Sequence, residues 1–416
     1  MQTYFKKHLF KSIRLHEIPA VGTSLIVVIP CFNEPDVANV LASLNRCHPC
    51  KRSVEVIVVI NSASNASEEI KDQNEKTFQQ VVSWQGQQGN IRFRLFILRD
   101  EDLPPKHAGV GLARKIGMDE AAFRFESNGK KEGVIVCLDA DCTVAENYLE
   151  VVEEYFSNHP NAKAASIYFE HMLTVSDKAS RHGIINYELH LRYYVQALRY
   201  AGYPYAFHTI GSGMCVRSDV YQQAGGMNRR KAGEDFYFLH KIIPLGGFGE
   251  INATTVFPSS RVSERVPFGT GRAMKEWLAE CSKEFFTYDI RIFEELRLFI
   301  QSVPLFYQSK SDAVEKIVKK LPRPVQAFLS ATDFLEKVDE INSNTSGAES
   351  FRQRFFNWLD GFRVLKMIHF MRDNYHQNIP LGKAAKKLLD KTGTGVPSDE
   401  ESLLEIYREM DKAGKL

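Results

Sequence analysis

Val134-Ile135-Val136-Cys137-Leu138-Asp139-Ala140-Asp141-Cys142 sets the frame for the rest of the chain. Five apolar residues, three of them β-branched, run without helical period into two carboxylates one residue apart. A run that short and apolar predicts a strand buried on both faces of a parallel sheet. The acids then stand at its carboxyl end, where open α/β sheets bind ligands. Side chains alternate along an extended chain, so Asp139 and Asp141 are expected to face one way and Ala140 the other. Two hard oxygen ligands on one side suit Mg²⁺ or Mn²⁺, which keep several waters and take further ligands from a substrate's phosphates. The plainer reading is an Asp N-cap followed by a solvated turn residue.

Toward the amino terminus, further strands are expected at Ser24 to Ile29, Val54 to Ile60 and Ile91 to Leu98. The first is broken by Pro30-Cys31-Phe32-Asn33-Glu34-Pro35, after which Val37, Val40, Leu41 and Leu44 recur at helical spacing. The second ends in the polar run Asn61-Ser62-Ala63-Ser64-Asn65, followed by a polar helix. Strands alternating with helices give a doubly wound, mostly parallel sheet. Pro104 to Lys115 holds Gly109 and Gly111 and flows into a helix. The dinucleotide fingerprint wants a third small residue where Arg114 stands, so NAD is not expected. A glycine loop opening a helix, with Lys106, Arg114 and Lys115 around it, suits a nucleotide diphosphate; a turn followed by a solvated basic face is the alternative.

Toward the carboxyl terminus, a helix near Glu146 to Phe156 and a strand near Ala164 to Glu170 precede a Tyr-, His- and Arg-rich helical stretch over residues 176 to 205. Then come Gly211-Ser212-Gly213, Gly225-Gly226, and Gly233-Glu234-Asp235-Phe236 opening an amphipathic helix. Glu234 and Asp235 there favour the helix dipole even without a chemical role. Gly246 to Thr255 suggests one more turn and strand. Arg261, Arg265 and Arg272 interleave with small residues, an anion-binding composition with no histidine from 251 to 272. Beyond about 280 the period is helical, with an apolar stripe Phe351, Phe355, Leu359, Phe362 and Ile368, and the polar carboxyl-terminal end is expected to fray.

A chain of 416 residues favours two domains, or one with a large appendage. The net charge of +2, from 53 basic and 51 acidic residues, argues against a nucleic-acid partner. No apolar run approaches the roughly 18 residues of a transmembrane helix, and seven cysteines, an odd number, fit free thiols in a reducing compartment. A cytoplasmic protein is expected. Cys47-His48-Pro49-Cys50 has no second pair and reads as structural thiols. Lys6, Lys7, Lys11 and Arg14 among Phe5, Leu9, Phe10 and Ile13 form a basic amphipathic segment. Such a segment either lies peripherally on an acidic membrane surface or docks on the domain.

Taken together, these segments resemble the family-two glycosyltransferases of GT-A fold over residues 20 to 275. The matching pieces are Val28-Ile29-Pro30-Cys31-Phe32-Asn33-Glu34, the Lys106 to Arg114 loop, Leu138-Asp139-Ala140-Asp141, Gly211-Ser212-Gly213, Gly225-Gly226 and Glu234-Asp235. The resemblance implies a GT-A-like α/β domain at 21–278, between the basic segment 1–20 and a helical region 279–416. It implies that Pro30, Asn33 and Glu34 line the nucleotide site, that Lys106 and Arg114 approach base or diphosphate, and that Asp139 with Asp141 holds ribose and metal. Asp235 is implied as catalytic base, with Gly213, Glu234, Arg261 and Arg265 beside acceptor or phosphate. The family usually has an acidic residue after the second strand to contact the base, and Asn61 stands there. Some members supply a further metal-binding histidine, which the stretch from 251 to 272 lacks.

The implied reaction is metal-dependent, inverting transfer of a sugar from a nucleotide-sugar donor to a saccharide, lipid-linked or other hydroxyl acceptor. A divalent ion on Asp139 and Asp141 counters the charge growing on the leaving diphosphate, and Asp235 takes the acceptor's proton. A sugar-1-phosphate nucleotidyltransferase would carry a Gly-rich first loop with Arg and Lys where this chain has Cys31-Phe32-Asn33-Glu34. A non-catalytic nucleotide-sugar binder would not need Asp235.

Overall fold

The run around Val136 forms the fourth strand of an eight-stranded sheet. The computed structural model describes residues 2–174, 177–261, 270–279, 284–397 and 399–414. The strands are β1 (Leu25–Cys31), β2 (Val54–Ala63), β3 (Arg94–Leu103), β4 (Val134–Cys137), β5 (Thr143–Val144), β6 (Ala164–Phe169), β7 (Met214–Arg217) and β8 (Phe248–Phe257). They lie in the order β3-β2-β1-β4-β7-β6-β8-β5. β1, β2, β3 and β4 pair in parallel, as do β6 and β8. Two strands run against the rest: β7, between β4 and β6, and β5, beside β8. The sheet is thus mixed but mostly parallel, as the alternating strand and helix pattern predicts.

Helices Val37–Arg46, Glu68–Gln87 and Val110–Ser127 make the crossovers that parallel pairing requires. Every residue of β1 and β4 is buried, which is why both read as unbroken apolar runs. Pro30 is tolerated inside β1 for a positional reason. Val28 accepts from the Leu138 N–H, so the bond Pro30 lacks would point past the end of β4. The helix Val110–Ser127 buries Leu112, Ile116, Met118 and Phe125, each contributing about 1.5–3 kcal/mol.

The basic amino-terminal segment docks on this sheet unit. Tyr4 is buried and its hydroxyl donates to Asp119 Oδ1 at 2.7 Å. Arg14 pairs with Asp100 at 2.6 Å, and the Arg14 and Leu15 N–H groups donate to the Glu120 carboxylate at 2.9 and 3.2 Å. No helix among the described residues is long and apolar enough to cross a membrane.

By contacts the chain divides into two units, Met1–Ile184 with Thr209–Ala279, and Ile185–His208 with Glu280–Leu416. Residues 185–208, part of the Tyr-rich stretch, therefore belong with the carboxyl-terminal helices. The second unit is built from helices between Ile290 and Lys412 and a short antiparallel pair, Phe286–Thr287 with Ile379–Pro380. Its core is aromatic: Phe306 lies 5.4 Å from Phe334 and 6.0 Å from Phe355, centroid to centroid. Phe351, Phe355, Leu359 and Ile368 of the predicted stripe are buried, and Phe362 is half-buried.

The expected fraying of the carboxyl-terminal end does not occur through residue 412. The helix Glu400–Lys412 buries Leu403, Leu404, Tyr407 and Asp411. Asp411 pairs with Arg192 and accepts from Gln196 Nε2 at 2.6 Å and His208 Nε2 at 2.9 Å. A polar composition hid a helix whose one buried acid is fully bonded.

Candidate functional site

β4 stops at Cys137, and the chain then turns instead of staying extended. The Cys142 N–H donates to the Asp139 carbonyl at 3.1 Å, closing a turn over Ala140 and Asp141. This corrects the expectation that both acids share one side of a strand. A backbone bond across three residues sends the carboxylates to different partners: Asp139 to Arg114, Asp141 to Arg261.

Arg114 is the centre of the first cluster. It is only 1% exposed, ion-paired with Asp139 Oδ1 at 2.5 Å and with Glu234. The alternative of a solvated basic face does not hold at this point, since the guanidinium is buried against two acids. Lys115 is buried too, paired with Asp119 at 3.0 Å. Both glycines of interest serve this packing. A Cβ on Gly211 would lie 2.6 Å from Arg114 Nη1, and one on Gly111 would lie 2.3 Å from the Arg230 carbonyl oxygen and 2.9 Å from Glu234 Cβ. The glycine loop thus makes room for the 230–234 segment, where a diphosphate was expected.

Glu234 and Asp235 open the helix Glu234–Ile242, the first buried and the second half-buried. Asp235 accepts from the Phe236 N–H at 2.7 Å and from the Gly211 N–H. Burial pushes both carboxyls up. Arg114 pulls each down, but the neighbouring acids add to the rise, and Glu234 stands at about 7. Asp235 is likewise raised above its ordinary value. Three carboxylates share one guanidinium, an arrangement that keeps a proton available near neutral pH.

The second cluster joins Glu34, Arg261 and Asp141. Glu34 is fully buried and paired with Arg261, whose guanidinium also lies 3.6 Å from Asp141. Asn33, next to Glu34, takes a left-handed conformation (φ 48°) that asparagine tolerates. Its N–H donates to Asn74 Oδ1 at 3.0 Å, and Asn74 Nδ2 donates to the Asn61 carbonyl at 3.1 Å. Asn61 lies inside β2, not in a loop after it, and is 1% exposed. Its side-chain oxygen is buried with no hydrogen-bond partner among the described residues. Leaving such an atom unpaired costs about 1–3 kcal/mol, which a ligand's donor would recover.

Asn74 escaped the sequence reading because it sits on a polar helix. The buried residues Asn74, Thr77, Val81 and Trp84 recur at spacings of three and four, which was the available indication. Thr77 Oγ1 donates to the Glu34 carbonyl at 2.6 Å, so this stripe braces the first loop. Pro30 is buried in β1, and Gly213 is buried in a 3₁₀ turn, where a Cβ would meet the Ile167 carbonyl oxygen at 2.9 Å. Lys106 is exposed. Arg272 is exposed on the helix Thr270–Ala279, and Arg265 lies outside the described residues.

The residues that could hold a divalent ion are Asp139 and Asp141, with side chains 36% and 27% exposed. No group of three or more His, Cys, Asp or Glu suited to a metal occurs among the described residues. Two reachable carboxylates, with waters and phosphate oxygens completing the shell, fit Mg²⁺ or Mn²⁺. Asp139 Oδ1 is held by Arg114, and Asp141 lies 3.6 Å from Arg261.

Residues 134–308 match the family model described as Glycosyl transferase family group 2. Comparison with curated proteins finds no match. Among solved structures, the chain is similar to S. aureus TarS 1-349 in complex with UDP-GlcNAc, with 13% identity, 81% of this chain and 92% of that chain covered, and a TM-score of 0.42. It is also similar to the mannosyltransferase PcManGT from Pyrobaculum calidifontis in complex with GDP-Man and Mn²⁺, with 15% identity, 99% and 94% covered, and a TM-score of 0.36. The stretch matched by the glycosyl transferase family group 2 model carries both the Asp139–Asp141 turn and the Glu234–Asp235 helix start.

Proposed function

We propose that the first unit transfers a sugar from a nucleotide-sugar donor to a hydroxyl acceptor, with Asp235 as general base and inversion at the anomeric carbon. The observation that carries this is the Arg114 bridge, which draws Asp139 at the end of β4 and Glu234–Asp235 into one cluster. Asn61, with its unpaired buried oxygen, is the candidate reader of the base, beside Asn33. Arg261 is within reach of the diphosphate, because it already neighbours Asp141 and a guanidinium binds phosphate through two parallel bonds.

In the reaction the acceptor oxygen bonds to the anomeric carbon as its proton passes to the Asp235 carboxylate. The bond from that carbon to the phosphate oxygen breaks, and the electron pair leaves with the nucleoside diphosphate. A carboxylate raised by burial is a stronger base than a free one, and such proton transfer contributes about 10²- to 10⁴-fold. The Gly211 and Phe236 N–H groups orient Asp235. Mg²⁺ or Mn²⁺ held by Asp141, with Asp139, would supply Lewis-acid stabilisation of the leaving diphosphate. No disulfide joins the six cysteines among the described residues, which suits a reducing, cytoplasmic setting.

Donor hydrolysis and transfer, measured over a panel of uridine, guanosine and thymidine diphosphate sugars with Mn²⁺ or with EDTA, test the proposal. The expected result is turnover of at least one donor, lost in EDTA and weakened in Asp141→Asn. Donor binding without turnover under every condition would make the chain a binder. Full activity in EDTA would remove the metal from the mechanism.

A further inference from the structure

The amino-terminal segment and the loop before Glu234 enclose a cavity that the transfer mechanism does not use. Its volume is about 420 Å³, within the range of small-ligand sites. Lys7, His8, Lys115 and Arg229 line it, together with apolar Phe10 and Met227, and no acidic residue does among the described residues. Of the residues considered above for the donor, only Lys115 is in the lining, and none of the residues proposed for metal or base is. In a chain whose net charge is only +2, such a concentration of cationic groups in one concavity is not a reflection of composition.

Three of the four cationic or titratable side chains have defined neighbours. Lys115 is the buried one, 5% exposed, with Nζ on Asp119 and 3.3 Å from the Tyr4 hydroxyl. Asp119 also accepts from Tyr4 at 2.7 Å and Tyr221 at 2.6 Å, so its charge is shared among three donors and does not belong to Lys115 alone. His8 stacks on Tyr4 with ring centroids 5.2 Å apart. The Arg229 guanidinium lies 5.6 Å from the centre of the Phe10 ring, within cation–π range. Lys7 is exposed at the end of the helix Gln2–Lys7.

We infer that this cavity is a binding site for a phosphate group, taken up by Arg229 and Lys7 at the rim and Lys115 within. A guanidinium and an ammonium group at the rim, with a second ammonium whose carboxylate partner Asp119 is shared with Tyr4 and Tyr221, match a phosphate's charge and acceptor oxygens. Phe10 and Met227 add an apolar wall beside it, so the phosphate arrives either free, on a small molecule, or as the headgroup of an acidic lipid. The site adjoins the chemistry through one strut: Asn228 Nδ2 donates to the Glu234 carbonyl at 2.8 Å.

The full chain is compared with the double variant Lys7→Ala/Arg229→Ala and with Lys76→Ala, which removes an exposed charge elsewhere. Calorimetry with inorganic phosphate and pyrophosphate, and co-sedimentation with phosphatidylglycerol or phosphatidylcholine vesicles, are read for each. Saturable binding of the soluble anions, weakened about tenfold or more in the double variant and unchanged in Lys76→Ala, is the expected result for a free phosphate, since each lost charge-assisted bond is worth that much. Binding to phosphatidylglycerol alone, with the same loss in the double variant, assigns the site to a lipid headgroup. No saturable binding in either assay, or equal binding by the folded double variant and the wild type, overturns the inference. Equal melting temperatures establish that the double variant is folded.

Discussion

Arg114 in the first unit and Arg192 in the second are both buried, and each holds two carboxylates, yet the two networks push their acids in opposite directions. Around Arg192 the cations are in excess. Arg408 also reaches Glu188 at 2.7 Å, and Arg199 and His208 join Arg192 on Asp411. Burial raises Asp411, but His208, Arg192 and Arg199 more than offset it and hold it well below the usual carboxylate range. Around Arg114 the anions are in excess, with Asp139, Glu234 and Asp235 near one guanidinium, so burial, which raises Glu234 and Asp235, is not offset. Burial raises the acids in both networks, and the ratio of charges decides whether that rise is offset, as at Asp411, or persists, as at Glu234 and Asp235.

The largest effect is expected where the clamp is broken. Arg192→Met leaves Asp411 and Glu188 short of a buried partner and should cost about 3–5 kcal/mol in chemical denaturation, with turnover per folded molecule unchanged. A loss of turnover in the folded variant would make the second unit part of the chemistry. Next is Asp235→Asn, which keeps shape and helix start. It should lower kcat by about 10²-fold or more with near-normal donor binding; wild-type turnover would remove Asp235 from the mechanism.

The third expectation concerns the sign of the pH dependence. Glu234 is raised from 4.5 to about 7, so its contribution to stability is fully present below 4.5 and is lost as pH rises through about 7. Asp411 behaves oppositely: its contribution is present above its ordinary value of 3.8 and is lost only as pH falls below that. Glu234→Gln should therefore flatten the decline in melting temperature between those two pH values, and a slope equal to wild type would show that Arg114 fully compensates Glu234. The smallest effect is expected at Asn61. Asn61→Asp should reorder affinities for uridine, guanosine and thymidine diphosphates, because a carboxylate only accepts while an amide also donates. An unchanged ranking by calorimetry places Asn61 outside the base pocket.

Much of the sheet was legible in the residues. β1, β2 and β4 are apolar runs because each is covered on both faces, and the helices between them carry the crossover period. What escaped was the turn at Asp139–Cys142, since its closing bond is made by backbone atoms that every residue has. The burial of Arg114 and Lys115 also escaped, because a basic pair after a glycine loop looks the same whether it meets water or an acid. At the carboxyl-terminal end a polar sequence suggested fraying, and only the partners of Asp411 show why the helix persists.

The sequence by itself determined the strands, their alternation with helices, and the positions of the acids at strand end and helix start, because periodicity and propensity act over a few neighbouring residues. The tertiary structure alone decided what each charge meets. Arg114 is 25 residues from Asp139 and 120 from Glu234 along the chain, and Arg192 is 219 from Asp411. No local pattern encodes such pairings. They follow from which elements the sheet and the helices bring together, and burial then turns the number of charges at each meeting point into a raised or lowered proton affinity.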